Sequence, residues 1–267
     1  MSECTLPDYS ALQRKGPGSR PLARKILWHL LKSGEELHVF EDESLKRLFP
    51  DGKYKKSTVE NNILVLERYN FIVKERRGPI RLKYKTPLCW LANTPNVPFA
   101  YLGLLGERKY PVSETETAIE LLKSDPNVGV KPEKIVVLTS NKVVGEWEGG
   151  ISPDLKISWE TRSEEELNDI DKVEEFIKPM ICDLMRNYIL IMDLTSGPRP
   201  AGIAFYELAT QFKVPLIYVY EPKKKLKWLI SKEKLLEEIG GVFYVESEER
   251  VEERRAFEEF RKRRIVY

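Results

Sequence analysis

From Pro21 the apolar residues Leu22, Ile26 and Leu30, with Leu27 and Leu31 beside them, recur at helical spacing, and Ser33-Gly34 closes the run. Proline suits a first helical turn, where its missing N–H is not needed. A second, short helix is predicted over Glu43–Leu48, stopped by Phe49-Pro50 and Asp51-Gly52. A third starts at Ser57, a good N-cap, with Glu60 three residues on in the order of a capping box. Val59, Ile63, Leu66 and Tyr69 or Asn70 mark its stripe at helical spacing. After Asn70, where a left-handed helix end is expected, the period falls to two. Phe71–Glu75 and Ile80–Tyr84 read as strands joined at Arg77-Gly78-Pro79.

The rest of the chain alternates differently. Residues 93–98, Asn-Thr-Pro-Asn-Val-Pro, read as a linker, because two prolines end any helix or central strand. Short apolar runs then predict buried strands at Phe99–Leu105, Ile135–Ser140, Leu155–Trp159, Tyr188–Asp193 and Val214–Tyr220. Between them lie helices from the Ser113 N-cap through Leu122, over Asp171–Arg186 with Pro179 inside, and over Pro198–Phe212. Strands alternating with helices predict an α/β fold with a mostly parallel sheet. The chain thus divides into a flexible arm (1–20), a small helical domain with a hairpin (21–92), the linker (93–98) and an α/β domain (99–267) that ends in a charged helical segment, Glu246–Arg264.

Charge separates the two domains. The 267 residues carry 44 basic and 42 acidic side chains, yet residues 51–90 alone hold 10 basic against 4 acidic. A basic patch of this kind attracts phosphates, although it also serves as a solvated face. No apolar run is long enough to span a membrane, and the first residues lack the order of a secretion signal, so a cytoplasmic location is expected. Cys4, Cys89 and Cys182 lie far apart with only His29 and His38 beside them, which predicts neither a metal site nor a disulfide framework.

Helix, helix, helix, hairpin is the order of a winged helix-turn-helix, and Lys56–Val73 resembles that family's recognition helix and first wing strand. The resemblance implies double-stranded DNA as partner, with the third helix in the major groove. Lys55, Lys56, Ser57 and Thr58 would meet phosphates, Asn61 and Asn62 base edges, and Arg76, Arg77, Arg81 and Lys83 would set the wing on the backbone. The plainer reading is a packing or dimerisation module with a basic surface.

In a parallel sheet ligands bind beyond the carboxyl ends of the strands. Three loops fall there: one with Gly103, Leu104 and Gly106, one with Thr139, Ser140 and Asn141, and one running from Asp193 to Arg199. The last gathers Asp193, Thr195, Ser196, Gly197 and Arg199 at a strand-to-helix junction, where backbone amides and a cation can hold an anion. A tight turn with a capped helix would use the same residues.

Asp193-Leu-Thr195-Ser-Gly197-Pro-Arg199 resembles the Asp-x-Thr-x-Gly-x-Lys/Arg signature of CARF domains, the CRISPR-associated Rossmann folds, over about residues 97–230. The resemblance implies a Rossmann-like sheet, a homodimer and a cyclic oligoadenylate ligand, cyclic tetra-adenylate first among them, with no cofactor or metal. Together with the winged helix it implies a CRISPR-associated transcriptional regulator, although here the DNA-binding module precedes the sensor, whereas the best-known members place it after. Other members cleave the ring or carry a HEPN ribonuclease. Ring cleavage would fall to Thr195, Ser196, Arg199 and Ser140, but no acid–base pair is visible and no catalytic residue is assigned. Arg24-Lys-Ile-Leu-Trp-His29 matches the HEPN spacing Arg-x4-His, yet His29 reads as the core edge of the first helix. A nucleotide-binding α/β domain outside CRISPR defence is the remaining alternative.

Overall fold

The computed structural model describes residues 4–12, 20–34, 36–38, 54–75 and 78–239. The expected helix at 43–48, the wing-tip residues Arg76 and Arg77 and the charged segment at 246–264 lie outside them.

The helices and hairpin of the first domain pack through the positions that the periodicity marks. Helix α1 (Pro21–Ser33) buries Leu22, Ile26, Leu27, Leu30 and Leu31, and ends on Gly34 at φ 67°, whose N–H donates to the Leu30 carbonyl at 3.0 Å. Helix α2 (Lys56–Arg68) buries Val59, Ile63 and Leu66 against it. Asn70 takes the left-handed conformation (φ 61°) and turns the chain into β1 (Ile72–Lys74), which pairs antiparallel with β2 (Ile80–Leu82). Leu37 bridges to Ile80 in antiparallel sense and adds a third short edge to the hairpin. The Ser57–Glu60 capping box does not form: the N-cap lies two residues earlier, at Lys55, with no side-chain cap. The apolar stripe fixes the helix, not its first residue.

A four-residue helix, α3 (Leu88–Leu91), follows, and all four of its side chains are buried. The α/β domain then runs as β3 (Phe99–Leu104), α4 (Glu114–Ser124), β4 (Lys134–Thr139), α5 (Asn141–Trp147), β5 (Ile157–Thr161), α6 (Glu164–Leu167), α7 (Ile170–Asn187), β6 (Ile189–Asp193), α8 (Arg199–Phe212), β7 (Leu216–Tyr220), β8 (Lys225–Ile230) and α9 (Lys232–Ile239). The sheet order is β5-β4-β3-β6-β7-β8, parallel throughout except for β8, which pairs antiparallel with β7. Counted along the domain this is the Rossmann order 3-2-1-4-5-6, whose switch point lies between β3 and β6.

Alternation along β3 separates two cores. Ala100, Leu102 and Leu104 face the helices α7 and α8, whose Ile177, Ile181, Phe205 and Leu208 are fully buried. Tyr101 and Leu105 face α4 and α5 with Ile119, Leu122 and Trp147. Each such side chain contributes roughly 1.5–3 kcal/mol relative to exposure. The first core is continuous with that of α1, α2 and the hairpin. Buried Thr86 ties the parts together, its hydroxyl donating to the Tyr188 carbonyl (2.8 Å) and accepting from the Leu190 N–H (2.6 Å). Thr94 and Val97 in the joining segment are buried as well, and the Thr94 hydroxyl donates to the Leu31 carbonyl.

The cysteine reading is corrected. Cys4 and Cys182 form a disulfide across 178 residues, which joins the N-terminal segment to α7. Pairing depends on approach in space, with the two Cα atoms 6.1 Å apart, and chain spacing does not report it.

Candidate ligand-binding site

The carboxyl ends of β3, β4 and β6 and the first residues of the elements after them enclose a cavity of about 410 Å³ at the switch point. Its walls are Leu105, Gly106, Glu107 and Lys109 after β3; Thr139, Ser140 and Val143 at the β4–α5 junction; Thr195, Ser196, Gly197 and Pro198 after β6; Glu114 from α4; and Glu164, Leu167 and Asn168 from the α6 segment.

Asp193 organises the third loop from beneath. It is 1% exposed. Its Oδ2 accepts from the Tyr101 hydroxyl at 2.7 Å, and its Oδ1 accepts from the Thr195 N–H at 2.8 Å and from the Thr195 hydroxyl. The Thr195 hydroxyl oxygen in turn accepts from the Val219 N–H at 2.8 Å, so one carboxylate fixes the loop to β3 and β7. Burial pushes the Asp193 carboxyl up to about 6, against the hydrogen bonds from Thr195 and Tyr101 that lower it. Burial, with the Asp193 carboxylate beside it, also raises the Tyr101 phenol, which stays protonated. Gly103 leaves room for this phenol: a Cβ there would stand 2.5 Å from the Tyr101 hydroxyl oxygen.

The two loops flanking the switch point touch. The Gly106 N–H donates to Ser196 Oγ at 2.9 Å, and the Gly106 carbonyl accepts from Trp147 Nε1 at 3.1 Å. Gly197 sits at φ 88°, and a Cβ there would meet Leu104 Cβ at 3.0 Å, so close approach and backbone conformation both require glycine. The Thr139 hydroxyl donates to the Leu105 carbonyl at 2.8 Å, and Ser140 caps α5. At the mouth, Lys142 Nζ lies 2.6 Å from Glu107 Oε1 and 4.0 Å from Glu164 Oε1. Its hydrogen bond holds the Glu107 carboxyl below the usual range and raises the Lys142 ammonium.

The helix termini facing this region differ in charge. Helix α4 opens with Glu114 and Glu116, and its capping box (Ser113 with Glu116) engages amides of the first turn. Helix α8 has no acidic residue in its first turn and no side-chain cap, and it begins with exposed Arg199. An anion is therefore favoured at α8 and opposed at α4.

Six of the expected ligand residues line the cavity: Gly106, Thr139, Ser140, Thr195, Ser196 and Gly197. Gly103 and Leu104 lie within β3, Asp193 lies beneath the loop, and Arg199 stands exposed at the start of α8. Asn141 borders a separate cavity of about 680 Å³ along the β5 edge, with Trp147 and Trp159. Glu114, Glu164 and Asn168 were not expected. Glu164 and Asn168 come from a segment with no strand-end signal, whereas Glu114 directly follows the N-cap of the helix after the first strand, a position that the topology alone singles out.

On the first domain, Lys55, Lys56, Ser57, Thr58 and Asn61 are exposed along the start of α2. Asn62 is 8% exposed and its amide donates to the Thr58 carbonyl at 2.8 Å, so only Asn61 of the pair faces outward. Its spacing, three residues after Val59 and one before Ile63, places it on the apolar side. Arg81 is half-buried with Glu36 at 3.9 Å, and Lys83 donates to Thr5 Oγ1 (2.6 Å) and Asn70 Oδ1 (2.7 Å), holding the N-terminal segment. Among the described residues no helix is long and apolar enough to cross a membrane.

No protein-family model and no curated protein matches the chain. Among solved structures it is similar to protein VC1899 from Vibrio cholerae, at 10% identity over 50% of this chain and 34% of that one, with a TM-score of 0.37. It is also similar to Enterococcus italicus Csm6 bound to cyclic hexa-2′-fluoro-hexa-dAMP, at 12% identity over 55% of this chain and 37% of that one, with a TM-score of 0.35. The aligned part is about a third of either of those chains.

Proposed function

We propose that the chain is a DNA-binding regulator whose α/β domain senses a cyclic oligoadenylate. The observation that carries this reading is the switch-point cavity, walled by the loop that bears the CARF-like motif and backed by the acid-free start of α8 beside Arg199. The phosphates of the ring lie at that terminus, with Arg199 supplying charge. About 410 Å³ is near the small end of small-molecule sites and suits one nucleotide unit, so a ring is shared between two copies of the chain. Ile203 and Tyr206, 47% and 45% exposed on α8, provide an apolar surface that continues from this loop for a second copy.

The test is calorimetric titration with cyclic tetra-adenylate and cyclic hexa-adenylate, with the products analysed afterwards. One intact ring per two chains supports the sensor, conversion to linear fragments moves the function to a ring nuclease, and no binding of either ring removes the reading. Arg199→Ala is expected to weaken ring binding about tenfold or more, the scale of one charge-assisted hydrogen bond, with DNA affinity kept.

The DNA-binding half of the proposal rests on the winged-helix order and on the exposed, basic start of α2. Lys55→Ala and Lys56→Ala are each expected to weaken binding evenly across duplex sequences and to reduce the slope of log affinity against log salt by about 1. Electrophoretic shifts at three salt concentrations read this directly, and an unchanged slope would count against the helix as the DNA contact. A ring alters DNA affinity only if it favours one arrangement of the two modules, which here share one core and the Thr86 and Thr94 hydrogen bonds.

A further inference from the structure

The β7–β8 hairpin carries a surface that the switch-point cavity does not use. Lys223, Lys224, Lys225 and Lys227 are all exposed, and Glu221 is the one acid between Val214 and Ile230. Strand pairing sets Tyr218 opposite Lys227 and Tyr220 opposite Lys225, so these four side chains share one face. The alternate residues Ile217, Val219, Leu226 and Trp228 take the other face, in the core with Ile119 and Leu122 of α4. Near the turn the first face stays open: Tyr220 is 37% exposed, Tyr218 is half-buried, and Lys227 Nζ stands 5.5 Å from the centre of the Tyr220 ring. Among the described side chains no carboxylate forms an ion pair with Lys225 or Lys227. Lys224 turns elsewhere, lining a separate cavity with Glu116, Glu120 and Asp154, and is no part of this face.

Lysines on an edge strand also keep a second sheet from pairing with it. That role accounts for the cations and not for two tyrosine rings left between them. A ring beside an ammonium matches one nucleotide, with the base on the π-face and the phosphate on the cation. Two rings at alternate positions of a strand stand about 7 Å apart, so each can serve a different base. We propose that this face binds single-stranded nucleic acid, with bases stacked on Tyr220 and against Tyr218 and with Lys225 and Lys227 on the phosphates. β7 runs parallel to β6, so Tyr220 lies at the same end of the sheet as the cavity, and the Val219 N–H bonds directly to Thr195 of the loop that walls it. The strand would therefore pass beside the switch-point site. This surface is separate from α2, and it requires neither the cyclic ligand nor the duplex.

The probe is a fluorescent single-stranded oligothymidylate of about 12 nucleotides, titrated with the full chain and read by anisotropy at several salt concentrations. Tyr220→Ala is expected to weaken binding about 5- to 100-fold, and Tyr220→Phe, which keeps the ring, to stay within about twofold of wild type. Lys225→Gln and Lys227→Gln should each reduce the slope of log affinity against log salt by about 0.7, the value for one phosphate contact on a single strand. All four side chains are exposed or half-buried, so the variants should melt as wild type does. Inorganic polyphosphate, which has the charge and no bases, should compete with wild type and with Tyr220→Ala to the same extent. Duplex binding should be unchanged in Tyr220→Ala, whereas Lys55→Ala should leave the single strand bound. Three results overturn the proposal: no binding at about 100 μM protein, the weak end of non-specific affinity; equal affinity of wild type and Tyr220→Ala, which marks an edge guarded by charge alone; or loss of the single strand in Lys55→Ala and not in Tyr220→Ala, which assigns it to α2. None of these results bears on the ring titration, so the two readings stand or fall separately.

Discussion

Replacing Asp193 by alanine should lower the unfolding free energy by about 4 kcal/mol near pH 4 and by about 2 kcal/mol near pH 7. The loss at low pH follows from what the carboxyl holds. The Tyr101 hydroxyl is fully buried and has no water to turn to once the carboxyl is gone, the Thr195 N–H loses its acceptor, and the Thr195 hydroxyl loses its anchor beside Val219. A buried donor left without an acceptor costs about 1–3 kcal/mol, and such costs accumulate where one group serves several donors. The dependence on pH follows from burial, which raises the carboxyl from 3.8 to about 6. A group raised in the folded state contributes stability that is complete below its unfolded value and is lost as pH rises through the folded one. Wild type therefore surrenders about 2 kcal/mol between pH 4 and pH 7 that the alanine variant never had. Urea titrations of wild type, Asp193→Ala and Asp193→Asn across that range measure both parts. The wild-type-minus-Asn difference should fall as pH rises, and a flat difference would show that Asp193 is not buried as an ionisable group in this network.

The same residue shows how far the sequence could be read. The apolar runs at Ile135–Thr139 and Ile189–Asp193 announce buried parallel strands because both faces of such a strand are covered, and the strand ends locate the loops. The capping box Ser113–Glu116 is legible because its partners are three residues apart. The identical pattern at Ser57–Glu60 fails, since nothing local tells which of Lys55 and Ser57 leaves the helix first. Strand β8 was missed because Lys225 and Lys227 alternate with Leu226 and Trp228 next to a lysine run, which reads as a solvated tail until β7 is placed beside it. At the site, the loop residues were legible and their division of labour was not. Asp193 looked like a ligand residue, but its partners, 92 positions away at Tyr101 and 2 away at Thr195, draw it under the loop. Glu164 and Asn168 reach the cavity only through the packing of helices against the sheet, which no short motif encodes.

The second large effect concerns the disulfide. Reduction, or Cys4→Ser, should lower the melting temperature by about 10 °C. The bond closes a loop of 178 residues, and constraining an unfolded chain at that separation is worth on the order of 4–5 kcal/mol in the chain-entropy account. For a chain of this size each kcal/mol moves the melting point by about 2–4 °C. Cys4 is the better residue to change, because it is partly exposed, whereas a serine hydroxyl at Cys182, which is 3% exposed, would add an unmet polar group. What the bond holds gives the effect a direction. The segment it anchors places Ala11 and Leu12 in the core, donates from the Asp8 N–H to the Tyr69 carbonyl at 3.1 Å and receives Lys83 on Thr5. The Asp8 and Thr5 contacts lie against the end of α2 and the hairpin, the turn with Ala11 and Leu12 also meets α9, and Cys182 belongs to α7 on the sheet. The bond thus links the basic module to the α/β domain, and its loss should show first as earlier exposure of α2 and β1 in hydrogen exchange, with the sheet strands protected as before. Thiol titration in denaturant without reductant decides the starting point. One reactive thiol, Cys89, is expected, and it should react only after unfolding because it is buried and its pKa is raised to about 11. Three reactive thiols, or a melting temperature indifferent to reductant, would mean that the segment is held by packing alone.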